Sequence, residues 1–146
     1  MSVGLVLVSH SKELAKGLAD VARQMAPSVT IVPAGGTGDG GIGTSFDLIV
    51  AAIGEADQGD GAILLYDLGS GYLTASTAME FLEPDQADRV VIVDAPLVQG
   101  AVSAAISSQV GGDLRAVVSG ALEARRANGP GGVRSLDDLD RLTPPR

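Results

Sequence analysis

Val3-Gly4-Leu5-Val6-Leu7-Val8-Ser9-His10-Ser11 carries six apolar or small residues in succession and then a histidine between two serines. A short uninterrupted apolar run, rich in branched side chains, reads as a strand covered on both faces, which is the habit of a parallel sheet. Leu14, Leu18, Val21, Ala22 and Met25 then fall on one helical face that Pro27 ends. Val29 to Val32 reads as a second strand. The loop Gly35-Gly36-Thr37-Gly38-Asp39-Gly40-Gly41-Ile42-Gly43 follows it, and Thr44, with Asp47 three residues on, is the expected N-cap of a helix carrying Leu48, Ile49, Ala52 and Ile53. Ala62 to Tyr66 is a third strand, closed by Asp67-Leu68-Gly69-Ser70-Gly71 before a helix through Thr74 to Leu82. Arg89 to Val93 is a fourth strand, ending at Asp94-Ala95-Pro96. Helices are expected over Val98 to Ser108 and Leu114 to Ala127.

Four strands alternating with helices specify an α/β fold, an open and mainly parallel sheet with helices on both faces and right-handed crossovers. The expected strand order is 2-1-3-4, which puts a switch point between strands one and three. His10, the Gly35 to Gly43 loop and the Asp67 to Gly71 loop then converge at the carboxyl edge of the sheet. Residues 1–127 form one domain, and 128–146 a Gly/Pro-rich tail in which Ser135-Leu136-Asp137-Asp138 can cap one short turn.

Composition excludes several classes of function. The chain has 146 residues, 20 glycines, 45% hydrophobic and 3% aromatic residues, so it suits one packed domain with small contact residues. It has no cysteine, which removes thiol catalysis and zinc-thiolate sites. The net charge of -8 argues against nucleic-acid binding. The opening apolar run is too short and lacks the basic flank of a signal peptide, and no run approaches the roughly 20 apolar residues of a membrane span. The expectation is a cytoplasmic protein with no membrane association. One histidine and scattered carboxylates give no metal-ligand spacing, so no metal and no cofactor are expected.

His10 is the only histidine. An imidazole can serve as acid or base, or take up a phosphoryl group as a nucleophile. A carboxylate accepting Nδ1–H fixes the tautomer and leaves the Nε2 lone pair facing a substrate, and Asp67 is the candidate for that role. A phosphoryl group of about -1.5 to -2 charge needs donors nearby. The amides of Gly35, Gly36, Gly69 and Ser70 and the hydroxyls of Thr37 and Ser70, with a helix N-terminus, are the candidates. Ser9 and Ser11 read as cap and turn residues. Other readings stand beside these: His10 as a turn residue, Asp67 as a cap of the helix after it, and the glycine loop as a connection with no ligand. Gly36 to Gly41 and Gly38 to Gly43 both match G-x-G-x-x-G, but they follow the second strand, and a stretch this rich in glycine matches by chance. There is no P-loop and no G-x-S-x-G. A Ser70, His10, Asp67 triad has the weakness that Ser70 and Asp67 share one short loop, a poor way to place groups on opposite sides of an imidazole.

Val8-Ser9-His10-Ser11, Ala34-Gly35 through Ile42-Gly43-Thr44, Asp67-Leu68-Gly69-Ser70 and Ala95-Pro96-Leu97-Val98-Gln99-Gly100 together resemble the DhaM family. These are phosphocarrier subunits of bacterial dihydroxyacetone kinases, and their IIA domain is of the mannose type of the phosphotransferase system. The resemblance runs from about Val3 to Ala127. It implies that His10 accepts a phosphoryl group at Nε2 from HPr and passes it to ADP held on a DhaL subunit, with DhaK served indirectly and nucleotide not bound by this chain. It also implies a homodimer and a role in glycerone metabolism. Mannose-type IIA domains that serve a sugar transporter are the alternative within the same chemistry. The stripe Ala101, Ala104, Ala105 and Ser108 permits close helix packing, within the subunit or across a dimer. The Thr37 to Gly41 segment is richer in glycine than the family's pattern, which leaves individual phosphoryl contacts open.

Overall fold

Strand β1 (Gly4–Ser9) is buried along its whole length in the computed structural model, which describes residues 2–126 and 133–142. Side chains of a strand alternate between faces, so β1 feeds two separate cores. Leu5 and Leu7 pack with Ile63, Leu65, Ala19, Ala101, Ala104 and Val117 on one face. Val6 and Val8 pack with Leu64, Ile49, Ile53, Ala75 and Ala78 on the other.

The elements follow as α1 (Lys12–Met25), β2 (Ile31–Gly35), α2 (Phe46–Ala56), β3 (Ala62–Tyr66), α3 (Gly69–Met79), α4 (Pro84–Ala87), β4 (Val90–Ile92), α5 (Leu97–Gln109), α6 (Leu114–Glu123) and α7 (Leu136–Leu142). The sheet is parallel throughout, in the order β2-β1-β3-β4, as expected. Helices α1, α5 and α6 cover one face, and α2 and α3 the other. The small-residue stripe of α5 is settled within the subunit: Ala101, Ala104 and Ala105 are fully buried, and Ser108 donates to the Val3 carbonyl at 2.6 Å.

Several boundaries differ from expectation. β2 starts later and runs through Pro33 to Gly35. It is an edge strand, where proline's missing N–H faces outward and costs no ladder bond. Ser45, not Thr44, caps α2, accepting from the Leu48 amide at 3.2 Å, while the Thr44 hydroxyl meets Thr74 Oγ1 at 2.7 Å. α3 starts at Gly69, so two glycines that read as loop lie in its first turn, and it ends at Met79 rather than Leu82. β4 is only three residues long. α6 stops at Glu123, short of Ala127. In the tail, where one short turn was expected, Leu136–Leu142 forms the seven-residue helical segment α7, with left-handed φ at Leu136, Asp137, Asp138, Leu139 and Arg141. Residues 127–132 and 143–146 lie outside the described residues.

At the amino edge of the sheet, the buried Asp57 ties loops together. Its carboxylate accepts from the Gly59 and Gly61 amides at 3.0 and 3.1 Å, Gln86 at 2.8 Å and the Arg89 guanidinium at 2.9 Å. Burial opposes its charge, but these donors outweigh burial and hold its pKa down to about 2.

Candidate active site

Strand register brings the site together. In the β1–β3 pair Val8 lies opposite Tyr66, so the two strands end side by side, β3 at Tyr66 and β1 one residue further along at Ser9. His10 and Asp67, separated by 57 positions, thereby meet at the carboxyl edge, between α1 and α3. Asp67 Oδ1 lies 2.9 Å from His10 Nδ1 and accepts the Leu68 amide at 2.8 Å. Its Oδ2 accepts the Ser9 hydroxyl and the His10 amide, both at 2.9 Å. Burial disfavours the Asp67 charge, but hydrogen bonds from the His10 amide and ring, the Ser9 hydroxyl and the Leu68 amide hold its carboxyl below the usual range.

An ionised carboxylate has no proton to give, so Nδ1 carries the hydrogen of this bond and Nε2 holds the lone pair. The side chain of His10 is 19% exposed. On its outward side the Ser70 hydroxyl lies 2.6 Å from Nε2, and with Nε2 as acceptor that hydroxyl is the donor. Asp67 does not cap α3: the N-cap is Leu68, with no side-chain cap bond. Among the described residues the amides of Gly69 and Ser70, the first two of α3, have no partner. Two unpaired amides at the positive end of an eleven-residue helix, beside Nε2, form a cradle for an anion.

The glycine loop is placed differently from its expected role. The Gly36 amide donates to the Ser9 carbonyl at 3.1 Å, and the Thr37 amide to the Gly41 carbonyl at 3.2 Å. The Thr37 hydroxyl donates to Asp39 at 2.5 Å. The Gly36 amide is thus occupied by β1 and the Thr37 donors by the loop itself, whose Gly43 amide anchors on the His10 carbonyl at 2.9 Å. Gly35 answers a packing demand: a Cβ there would stand 2.8 Å from Ala15 Cβ and collide with the Ser11 carbonyl. The loop buttresses the start of α1.

Ser9 has a larger part than a cap. Ser11 does cap α1, accepting from the Leu14 amide at 3.2 Å. Ser9 is buried, accepts from the Ser11 amide at 3.0 Å and gives its own proton to Asp67. A hydroxyl closing a fully apolar strand was the available signal, since a buried hydroxyl requires a partner. The triad geometry also departs from expectation. Asp67 and Ser70 do reach opposite nitrogens of one imidazole, because α3 starts between them and its first turn swings Ser70 to the far side of the ring.

Among the described residues no group of His, Asp or Glu is arranged to hold a metal ion, and no helix is long and apolar enough to cross a membrane.

Residues 4–118 match the profile of the family described as PTS system fructose IIA component. A phosphoryl donor subunit DhaM of PEP-dependent dihydroxyacetone kinase 1 from Listeria innocua is 41% identical over 107 residues, covering 73% of this chain and 82% of the relative. Its counterpart from Escherichia coli is 38% identical over 129 residues, which is 86% of this chain but only 27% of the longer relative. The crystal structure of EF1359, described as a protein of unknown function, superimposes with a TM-score of 0.78 at 37% identity, covering 85% of this chain and 96% of that one. The chain therefore belongs to the IIA component family of the phosphotransferase system, among the DhaM phosphoryl donor subunits.

Proposed function

We propose that this protein is a phosphohistidine carrier: His10 takes a phosphoryl group from HPr and delivers it to ADP on a DhaL subunit, which in turn serves dihydroxyacetone held by DhaK. One observation carries the reading, the imidazole whose Nδ1 is tied to an ionised Asp67 and whose Nε2 lone pair faces outward beside two unpaired amides. In the first step the Nε2 lone pair attacks the donor's phosphorus. The new N–P bond forms as the donor's N–P bond breaks, and that electron pair returns to the donor ring. Asp67 stabilises the positive ring through Nδ1–H, and the Gly69 and Ser70 amides receive the phosphoryl oxygens. The Ser70 hydroxyl turns from Nε2 to an oxygen of the group that displaces it. In the second step a β-phosphate oxygen of ADP attacks the same phosphorus, and the N–P pair returns to Nε2. The dihydroxyacetone kinase names of the relatives support this acceptor over a sugar transporter. A homodimer acting in the cytoplasm completes the proposal.

The test is reconstitution. With enzyme I, HPr, DhaL and DhaK, phosphoenolpyruvate should drive dihydroxyacetone phosphorylation. A protein that takes up label from HPr but gives no product would belong to a sugar system. A second reading, a hydrolase with Ser70 as nucleophile, is favoured by the 2.6 Å contact to Nε2. Ester turnover abolished in Ser70→Ala would support it. Label uptake surviving in Ser70→Ala, with no esterase activity in the parent protein, would exclude it.

A further inference from the structure

Both lysines of this acidic chain, Lys12 and Lys16, lie on α1 one turn apart, and with Arg23 they line a cavity of about 380 Å³ between α1, the edge strand β2 and the glycine loop. Pro33 and Leu48 add apolar lining. From Lys12 to Arg23 the cationic row extends about 16 Å along the helix. It starts two residues after His10.

The groove is partly organised. Asp20 accepts from Lys16 at 3.3 Å and from Arg23 at 3.2 Å, and Arg23 is pinned by a second bond, 2.7 Å, to the Ile31 carbonyl. Among the described residues Lys12 has no ion-pair partner. The acidic residue of the lining loop, Asp39, is turned onto Thr37 and the Gly41 amide. Elsewhere at the carboxyl edge, Arg125 is occupied by Asp94 at 3.4 Å. Lys12 thus brings an unpaired positive charge to the groove, two residues from His10, and the exposed Lys16 stands one turn further on.

The two transfers differ in what they ask of this charge. Uptake moves one phosphoryl group between two imidazoles. Delivery brings a nucleoside diphosphate, itself strongly anionic, against a phosphohistidine of about -1.5 to -2 charge on a protein already negative overall. We propose, resting on the phosphohistidine reading above, that this groove receives the nucleotide-bearing face of the acceptor, with Lys12 and Lys16 ranged against the diphosphate. Lysine suits that task as a mobile point charge for phosphate. Close charge pairs of this kind govern the rate of encounter, and salt screens them.

The experiment measures the two half-reactions separately in single turnover, at low and moderate salt, for the parent protein and the double variant Lys12→Gln, Lys16→Gln. Uptake is read from labelled phospho-HPr, and delivery from labelled protein mixed with ADP-loaded DhaL. The ratio of delivery to uptake rates should fall at least tenfold at low salt, and the salt dependence of delivery should flatten. Arg115→Gln, which removes a charge at the amino edge of the sheet, should leave both rates as they are. A ratio within twofold of the parent, or a loss confined to uptake, would overturn the proposal. Absence of label in the parent protein would instead defeat the phosphohistidine reading itself.

Discussion

At the scale of single residues the site is a chain of donors ending on one carboxylate. Asp67 accepts four hydrogen bonds, two at each oxygen. Asp67→Asn has no orientation that satisfies them. With the amide nitrogen at the Oδ2 position it faces the Ser9 hydroxyl and the His10 amide, both donors; flipped, it faces Nδ1–H and drives the ring to the wrong tautomer. Transfer from HPr should slow on the order of 100-fold or more, by analogy with loss of the orienting carboxylate in catalytic triads. The melting temperature should drop only modestly, and an unchanged rate would reduce Asp67 to a structural anchor. Ser9→Ala removes one of the four bonds and should cost about 1 kcal/mol in urea unfolding. Its effect on transfer should be smaller than that of Asp67→Asn. His10 and Asp67 were legible because each ends a buried strand, and parallel strands gather their reactive ends at one edge. Ser9 was less so: a hydroxyl closing an apolar strand signals that a partner is required, but a serine beside a turn reads equally as a cap, and the sequence does not name the partner.

At the scale of elements, glycine is where the reading of pattern and the structure part company. Gly35 and Gly36 invited a phosphate-binding interpretation; what the structure adds is that the Gly36 amide is spent on the Ser9 carbonyl and that the lack of a Cβ at Gly35 lets the start of α1 close against β2. Gly35→Ala places a Cβ against Ala15 and the Ser11 carbonyl. It should destabilise by about 1–3 kcal/mol, the usual range for overpacking, and disturb transfer through displacement of the α1 start. Denaturant midpoints for parent and variant check the first effect, and equal midpoints would mean the loop yields without strain. Boundaries failed where a local signal had two solutions. Thr44 and Ser45 are both good caps, and which one ends the loop depends on the Thr44 contact with Thr74, 30 positions away. Gly69-Ser70-Gly71 carries the composition of a turn, but it forms the first turn of α3 and leaves there the unpaired amides to which the proposed carrier role assigns the phosphoryl oxygens.

At the scale of the molecule, the two edges of one sheet differ: the carboxyl edge holds the His10–Asp67 pair to which we assign the phosphoryl transfer, and the amino edge holds a clamp. Asp57, with a side chain 0% exposed, holds Arg89, Gln86 and the turn before β3. Its folded pKa of about 2 lies below the ordinary 3.8. That stabilisation is present in full above the ordinary value and is lost as pH falls from about 4 towards 2. The depressed Asp67 carboxyl works in the same direction. For Asp57 the loss amounts to about 2 kcal/mol. Asp57→Ala, which strands Arg89 and two amides, should cost about 3–5 kcal/mol at neutral pH and remove the Asp57 part of the acid dependence. Urea midpoints measured between pH 2 and 7 test both, and a parent and variant with parallel acid profiles would refute the clamp. The topology was legible because four continuous apolar runs admit few arrangements once crossovers must be right-handed. The clamp was not, since Asp57, Gln86 and Arg89 sit in loops and turns with no pattern to connect them.

The most direct test of the whole account is the position of the phosphoryl group. After incubation with enzyme I, HPr and labelled phosphoenolpyruvate, the protein should carry about one acid-labile, base-stable phosphoryl group per chain on Nε2 of His10, absent in His10→Ala. A His10→Ala variant that labels as fully as its parent would contradict it.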